Sequence, residues 1–476
     1  MTATNAPIIV LFRNDLRVSD NAALAAASAT GKPIVPLFIL DEEARDERSA
    51  GAASRWWLHH SLSALGNSLA KLETTFFMRH GPTKTIVAEA VSATGADSVF
   101  WNRRYSPSAV TNDMALKAEL RAAQLAVESF DGFLLHEPSR VATRSGDFYK
   151  VFTPFYKRLA EDDPRDPVDA PISLVAWKGR LRSDRLEDFK LLPKSPDWSS
   201  GLAERWQPGE QGAKDRLVTF LDDRLEAYAE DRNVPGVEGT SGLSPHLAHG
   251  EITPFQMMAA LRRRRGNGAE TYRKEIAWRE FCYHLLFNRP KLHLENFRSE
   301  FDAFKWRSAP AALRAWQTGR TGYPIVDAGM RELWQTGWMH NRVRMIAASF
   351  LVKDLMIDWR DGEQWFWETL VDADAANNPA SWQWVAGSGA DAAPYFRIFN
   401  PVLQGEKFDP DGSYVRRYIP ELAKLPDRYV HRPWEAPTEV LNECGVNIAE
   451  NYPTPIVDHA DARERALEIY RGTRDA

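Results

Sequence analysis

Short apolar runs alternate with amphipathic stretches over the first 130 residues. Continuous apolar character at 7–17, 33–40, 75–79, 98–101 and 126–130 predicts strands that are buried on both faces. The intervening apolar spacing predicts helices at 21–29, 54–72, 84–94 and 109–126. This alternation predicts a doubly wound parallel sheet. No Gly-x-Gly-x-x-Gly follows the first strand, so the pattern does not support a dinucleotide site there.

The pattern changes twice further along the chain. Prolines recur among charged residues from about 140 to 205, which is typical of a linker that wraps a surface. Helical spacing then dominates, with predicted helices at 215–232, 274–287 and 461–471. We therefore expect an α/β domain at 1–135, an interdomain linker at 136–205 and an all-α domain at 206–476.

Composition limits the possible functions. The chain has 476 residues and a net charge of −5, so any contact with nucleic acid must come from a local basic patch. Cys282 and Cys444 are the only cysteines, which excludes a disulfide framework and any four-cysteine metal or iron–sulfur site. No apolar run is long enough to span a membrane, and the first residues do not resemble a secretory signal. A cytoplasmic protein is expected.

The densest polar cluster lies at 372–384, DADAANNPASWQW. Asp372 and Asp374 could bind a metal, but no His/Cys set surrounds them, and an ion pair with Arg344 is the simpler interpretation. Asn378 precedes a proline and would ordinarily be a turn residue. The loop at 240–244, TSGLS, is either a helix cap or an anion-binding loop. Metal binding is not predicted.

Three long stretches resemble the DNA photolyase and cryptochrome family: TGYPIVDAGMRELWQTGWMHNRVRM (321–345), DADAANNPASWQW (372–384) and PYFRIFNP (394–401). The resemblance extends from residue 10 to about 422 and is closest to cyclobutane pyrimidine dimer photolyases of class I/III type. It implies a carbon–carbon lyase, a deoxyribodipyrimidine photo-lyase, that uses light and reduced FAD to repair dimers in DNA. Photolyases for the (6–4) product resemble one another in a pair of histidines at this face, one of them where Asn341 or Met345 stands. Here the single His340 is one step out of register, which favours the cyclobutane dimer.

The resemblance assigns the flavin site residue by residue. Asn378 is expected to face N5 of the flavin ring, where a neutral amide cannot donate the proton that an aspartate could. An outward relay of three tryptophans is expected to carry electrons to the flavin: Trp306, Trp359 and Trp382. The remaining flavin contacts are expected to be Tyr228, Thr240, Ser241, Gly242, Leu243, Ser244, Arg344, Asp372, Ala373 and Asp374.

The resemblance also implies a lesion pocket for ultraviolet-damaged DNA. Glu275 is expected to hydrogen-bond the pyrimidine, Trp278 and Trp384 to wall the pocket, and Met345 to lie at the dimer. The other expected DNA contacts are Arg232, Arg279, Cys282, Asn341, Arg342, Arg397 and Gln404.

The same resemblance places a light-harvesting chromophore in the N-terminal domain, at Arg13, Arg55 and Asn102. The segment SRWWLHHSL (54–62) favours methenyltetrahydrofolate, while a deazaflavin or an empty pocket stays open. A monomer is expected. The alternative function is a cryptochrome-type blue-light photoreceptor without repair activity. Cryptochromes often carry a long C-terminal extension, so the short sequence after residue 422 counts against this alternative. A small-molecule flavin reductase is less favoured, because no Gly-rich nicotinamide motif is present.

Overall fold

A computed structural model describes residues 6–44, 46–392 and 396–474. Part of the third resembling stretch, residues 393–395, lies outside this range. Five strands form one parallel sheet in the order β3-β2-β1-β4-β5, so the predicted doubly wound sheet is confirmed. The strands are β1 Ile8–Phe12, β2 Ile34–Leu40, β3 Phe77–His80, β4 Ser98–Asn102 and β5 Ala126–Phe130.

Helices cover both faces of this sheet. They are α1 Ala22–Ala29, α2 Ala52–Lys71, α3 Thr83–Thr94 and α4 Pro107–Ala122. Alternate residues of β1 explain the continuous apolar runs. Ile8 and Val10 pack in one hydrophobic cluster with α1 and α2, whereas Ile9 and Leu11 pack in another with α3 and α4. Because both of their faces are buried, the central strands β1 and β2 have apolar side chains at every position.

The segment after β5 is mostly irregular; it holds the eight-residue helix α5 Phe152–Leu159 and ends with a six-residue helix, Ser200–Arg205. It lies along the sheet domain: the Asp20 amide donates to the Val168 carbonyl, and Ile34 forms a bridge with Ala176. We propose that this segment is the linker, with the limits 136–205 given above.

The remainder is helical around one large apolar core that includes Trp316, Phe350 and Trp382. The predicted helix 215–232 is wrong as one element: α7 ends at Asp223 and α8 begins at Tyr228. The break turns Tyr228 inward. The helices are α6 Ser200–Arg205, α7 Glu210–Asp223, α8 Tyr228–Asp231, α9 Ser244–Ala248, α10 Pro254–Leu261, α11 Asn267–Asn288, α12 Pro310–Gln317, α13 Pro324–Thr336, α14 Asn341–Ser349, α15 Trp359–Thr369, α16 Asn377–Ala386, α17 Pro401–Phe408, α18 Ser413–Tyr418, α19 Asp427–Val430, α20 Thr438–Cys444 and α21 His459–Arg474.

The start of α2 joins the sheet domain to the helical part. Gly51 lies so close to α15 that an added Cβ would overlap the carbonyl oxygen of Trp367. The Trp367 indole donates to the Ser49 carbonyl at 2.8 Å, and the Ser54 hydroxyl donates to the Leu370 carbonyl at 3.2 Å. This contact places the loop before α2 directly behind α15. Among the described residues, no helix has the length and apolar character needed to cross a membrane.

Candidate functional site

Asp372 joins three separate parts of the helical region. It forms an ion pair with Arg344 at 2.8 Å and accepts a hydrogen bond from the Ser244 hydroxyl at 2.6 Å. Arg344 in turn donates to the Met339 carbonyl at 2.7 Å, which fixes the direction of its guanidinium. The expected Arg344–Asp372 pair is therefore present. It brings the 240–244 loop, α14 and the segment before α16 to one place.

Asp374 holds the start of α16. Its Oδ1 accepts from the backbone amides of Ala376 and Asn377 at 2.9 and 2.7 Å, and its Oδ2 accepts from the Tyr283 hydroxyl at 2.5 Å. Tyr283, which the sequence analysis missed, lies four residues after Arg279 on α11, so the spacing of that helix could have identified it. In the part of the chain that the structure describes, no three His, Cys, Asp or Glu side chains are grouped as metal ligands.

The loop at 240–244 passes close to Arg216 at Gly242. Gly242 has a φ of +63°, and a Cβ there would lie 2.7 Å from the Arg216 guanidinium. Ser244 is exposed although its hydroxyl bonds Asp372, as expected for a side chain that lines an opening. Tyr228 lies buried in the cluster that also contains Leu243. Burial, with the nearby Glu275 carboxylate, raises the pKa of the Tyr228 hydroxyl, which therefore stays protonated and able to donate.

Asn378 is fixed by a glutamate that the sequence analysis missed. Its amide nitrogen donates to the Glu363 carboxylate at 2.8 Å and to the Glu363 carbonyl at 3.0 Å. Glu363 is also held by both guanidinium nitrogens of Arg48, at 2.7 and 3.0 Å. Because the nitrogen of the amide faces Glu363, its oxygen is the atom left to face the other side. Arg48 comes from the sheet domain, and no local pattern marks it.

The three tryptophans of the expected relay lie in or against the same hydrophobic cluster. Trp382 is buried between Phe366 and Trp316, with ring centroids 4.9 and 6.1 Å away. Trp359 is fully buried and donates to Asn296 at 2.9 Å. Trp306 is half-buried at the edge of the core. The electron-transfer role of these residues stays a prediction.

Basic side chains from α8, α14 and the segment before α17 meet on one face. Arg232 pairs with Glu275 at 2.8 Å, and Arg342 donates to Asn233 at 2.5 Å. The pKa of Arg342 is lowered by its burial and then by the like charges of Arg232 and Arg397. The pKa of His340 falls to about 3 through burial and the surrounding arginines. An acidic protein thus groups several arginines on one local face.

The residues expected to contact the lesion lie beside this basic face. Burial raises the pKa of Glu275, against the opposing effect of Arg232. Trp278 stacks flat on Phe152 with centroids 3.7 Å apart, so one face of its ring is covered. Its partner across the expected pocket, Trp384, is anchored by a 3.0 Å bond from its indole to the Asp391 carbonyl. Asn341 is exposed, and Met345, Gln404 and Trp384 are half-buried.

Two of the expected DNA contacts face the interior instead. Arg279 is 8% exposed; its guanidinium donates to the Phe133 carbonyl at 2.9 Å and pairs with Glu280 at 3.2 Å. Cys282 is also buried, and burial raises the pKa of its thiol to about 12. They share a helix face with Glu275, but neighbouring chain covers them, and their direct contact with DNA stays a prediction.

Family models match most of the chain. Residues 8–172 match the DNA photolyase model, and residues 272–472 match the FAD binding domain of DNA photolyase. The chain is 53% identical to the deoxyribodipyrimidine photo-lyase of Agrobacterium fabrum, over 100% of this chain and 99% of that one. The chain belongs to the DNA photolyase family. The predicted membership of a family of FAD-dependent photolyases is confirmed.

The chain is similar to both photolyases and cryptochromes within the family. The crystal structure of a bacterial class III photolyase from Agrobacterium tumefaciens superposes with a TM-score of 0.97 at 53% identity, covering 100% of this chain and 99% of that one. Cryptochrome-1 of Arabidopsis thaliana is 37% identical over 97% of this chain and 69% of its own length. Both branches of the family are therefore represented among its relatives.

The antenna residues expected from the photolyase resemblance form an internal network. Asn102 is 3% exposed, and its amide nitrogen donates to Asp15 at 2.7 Å and Asn21 at 2.8 Å. Arg13 pairs with Asp113 and donates to the Asn102 carbonyl, both at 2.8 Å. Both N–H groups of Asn102 are used inside the domain, and its contact with a chromophore stays a prediction. Arg55 is more open and pairs with Glu42.

Proposed function

We propose that this photolyase-family protein repairs cyclobutane pyrimidine dimers in DNA under light. The observation that supports the proposal most is the convergence of Arg232, Arg342 and Arg397 beside Glu275. Guanidinium groups suit phosphate and base edges, so this face can hold a damaged strand above the residues that resemble a flavin site.

The residues present suit FAD. The 240–244 loop offers hydroxyl groups and backbone amides to a diphosphate, the Arg344–Asp372 pair supplies a fixed charge pair, and the Asn378 amide is held with its oxygen free. When bound and reduced, FAD supplies a photoexcited electron, and the protein supplies position and electrostatics. We infer that Tyr228, the 240–244 loop, Arg344, residues 372–374 and Asn378 hold it, with Trp306, Trp359 and Trp382 as the route for electrons from outside.

Glu275 and the two tryptophans form the proposed lesion pocket. Photolyases act on a nucleotide turned out of the stack, and an aromatic face is a tolerant platform for a turned-out base. Trp278, backed by Phe152, and the anchored Trp384 are pre-positioned for this purpose. Burial raises the pKa of Glu275, whose carboxylate can accept a hydrogen bond from the lesion. Met345, Asn341 and Gln404 complete the proposed surface.

The test is illumination of the reduced protein with an oligonucleotide that contains one dimer, followed by chromatographic measurement of the intact dimer. Repair predicts its loss in light and its persistence in the dark. The cryptochrome alternative predicts that light changes the flavin absorption while the dimer persists. A Glu275→Gln variant should bind DNA but repair it more slowly. Dimer content unchanged by light in the wild-type protein would refute the proposal.

We also propose a folate antenna in the sheet domain, near Arg55 and with Arg13 as a supporting residue. Methenyltetrahydrofolate predicts a near-ultraviolet band in the purified protein, and a deazaflavin predicts absorption further into the blue. A spectrum showing flavin alone would contradict both. A monomer, which light scattering can check, stays a prediction.

A further inference from the structure

A π-helix directly follows α14, the helix that carries the proposed DNA contacts Asn341 and Arg342. It spans Phe350–Asp354, and all five of its residues are buried. Turns of this kind are rare and are often found at functional sites. This one holds two adjacent charged residues that the proposed function does not use, Lys353 at 1% and Asp354 at 0% exposure. Because a buried charge is costly, its partners indicate what it does.

Within the described part of the chain, the Lys353 ammonium is held by a carbonyl and a ring, without a salt bridge. It donates to the Arg397 carbonyl at 3.3 Å and lies 3.4 Å from the centroid of the Phe396 ring. Burial lowers the pKa of Lys353 to about 7, against the opposing effect of the Asp354 carboxylate. An apolar side chain of similar length would fill this space at a lower cost. The charge is therefore explained by the two groups that it orients.

Asp354, the other buried charge, binds the C-terminal helix α21. Its carboxylate pairs with His459 at 2.5 Å, and its carbonyl accepts from the Arg465 guanidinium at 3.1 Å. The ionisable groups around Lys353 are thus Asp354 beside it, these two residues on α21, and Arg397 on the segment that it contacts. Asp354 serves α21, whereas Lys353 serves the segment that carries Arg397.

That segment is fixed on both sides of Arg397. Before it, the Phe396 ring stacks on Tyr470 with centroids 4.4 Å apart and an interplanar angle of 8°. After it, the Phe399 amide donates to the Ser349 hydroxyl at 3.2 Å. Arg397 itself is exposed, with its guanidinium 4.8 Å from the centroid of the Phe399 ring. The carbonyl that Lys353 holds therefore belongs to the exposed residue of an otherwise anchored segment.

We infer that Lys353 is a positioning residue for Arg397: its buried ammonium fixes the Arg397 backbone so that the exposed side chain lies on the proposed DNA face. Burial, and then the like charges of Arg232 and Arg397, lower the pKa of Arg342, so these guanidinium groups are near one another. One helical stretch thus presents Arg342 near its start and, through Lys353, Arg397 near its end. The inference rests on the DNA-repair function proposed above and adds a residue that acts on DNA without touching it.

Protonation of Lys353 should then be linked to DNA binding. With a pKa of about 7, the ammonium is charged below that value and loses its charge as the pH rises through it. A phosphate bound at Arg397 favours the charged form of Lys353, and by reciprocity the charged form favours binding of the phosphate. Affinity for DNA should therefore fall as the pH rises through neutrality.

The experiment is a double-variant cycle on the flavin-loaded protein. An oligonucleotide that contains one dimer is bound at several salt concentrations and followed by fluorescence anisotropy. The variants are Lys353→Met, Arg397→Gln and the two combined. The matched control is Arg465→Gln, which also removes one positive charge that donates to a backbone carbonyl at this place, but on the side of α21. Flavin absorption and urea unfolding are recorded for each protein.

Lys353→Met should weaken binding about threefold to fivefold and reduce the salt slope by up to about one. Lys353 is too buried to meet a phosphate itself, so this change in slope would report on Arg397. In the Arg397→Gln background the same substitution should alter affinity by less than about twofold. Arg465→Gln should leave affinity and slope unchanged. Equal losses in both backgrounds, or the same loss in Arg465→Gln, would overturn the inference in favour of a purely structural lysine.

Wild type and Arg397→Gln give a second test that needs no change at the buried site. Wild-type affinity should fall about threefold from about pH 6 to about pH 8, and Arg397→Gln should lack this dependence. Glu275, whose pKa burial raises, and its partner Arg232 are present in both proteins, so their titration does not distinguish the two. An equal pH dependence in both proteins would contradict the role of Lys353, even if Lys353→Met does not fold.

These outcomes separate Lys353 from the proposed function. If the wild-type protein binds and repairs the dimer but the losses in the double variant simply add, only the inference about Lys353 fails. If the wild-type protein does not bind the dimer, the repair function itself fails, and the inference fails with it.

Discussion

Removal of the Arg48 charge should leave the buried Glu363 carboxylate, which lies beside Asn378, without its ion-pair partner. The Glu363 carboxylate is 3% exposed and is held by both arms of Arg48. Arg48 also stacks over the Trp367 ring at 4.1 Å. In an Arg48→Met variant the side chain keeps much of this apolar contact. The Glu363 charge is then left with the Asn378 amide, at 2.8 Å, as a remaining hydrogen-bond donor.

The size of the effect follows from burial. Loss of one partner of a buried ion pair costs about 3–5 kcal/mol. The Arg48 side chain is 24% exposed, so water can partly replace it, and we expect about 2–3 kcal/mol. Glu363→Gln removes the stranded charge while keeping an acceptor for Asn378. In the double variant the two losses should therefore not add, and the coupling energy should be about 2 kcal/mol.

The assay is urea unfolding of wild type, both single variants and the double variant, followed by tryptophan fluorescence. Because Asn378 is oriented through Glu363, Arg48→Met should also shift the flavin absorption spectrum and reduction potential of the loaded protein. A loss below about 0.5 kcal/mol in Arg48→Met, or strict additivity in the double variant, would show that the pair is not coupled and that the reasoning is wrong.

Three further predictions concern the same region. Asp372→Asn removes the ion-pair partner of Arg344. We expect the binding free energy of the flavin, measured by equilibrium titration, to weaken by about 1.5–3 kcal/mol. Unchanged affinity would contradict this prediction. In Trp359→Phe, light should no longer drive electron transfer from external donors to the flavin, whereas the chemically reduced protein should still repair dimers. Loss of both activities would instead indicate damage to the core. Burial holds the pKa of His340 at about 3 in the folded protein against an ordinary value of 6.5, so the unfolded chain binds more protons between these values and stability falls as the pH drops below 6.5. The loss between pH 6.5 and 5 should be about 2 kcal/mol smaller in His340→Gln, as urea unfolding at the two pH values can test.

The sheet was predictable because its signal is local. The central strand β1 is buried on both faces, so Ile8 and Ile9 are both apolar, and this continuous run identifies the strand without knowledge of its neighbours. The helix predicted at 215–232 failed for the opposite reason. Its apolar spacing is compatible with one helix, but the Leu225 carbonyl lies against Gly268, where any Cβ would overlap it, and this tertiary contact accompanies the break.

The same distinction between local sequence signals and tertiary contacts applies to the candidate site. The resemblance gave the positions of Asp372 and Arg344, and their pairing could be expected from charge alone. It did not reveal that Arg279 and Cys282 face inward, because helical spacing identifies a shared face but not the chain that covers it. It also could not reveal Arg48, which acts on Glu363 across 315 positions of sequence.

The net charge of −5 and the basic face serve one purpose when taken together. Long-range repulsion from an acidic surface weakens non-specific binding to any DNA, whereas Arg232, Arg342 and Arg397 act only on a strand that comes within about a Debye length, 8–10 Å, of their face. Under the proposed function, a dimer that turns out towards Trp278 then gains contacts that undamaged DNA does not reach. Selectivity should therefore depend on salt: added salt weakens the general repulsion and the phosphate attraction together, while the stacking contribution at Trp278 stays nearly constant. The preference for damaged over undamaged DNA should consequently persist at salt concentrations where overall affinity has already fallen.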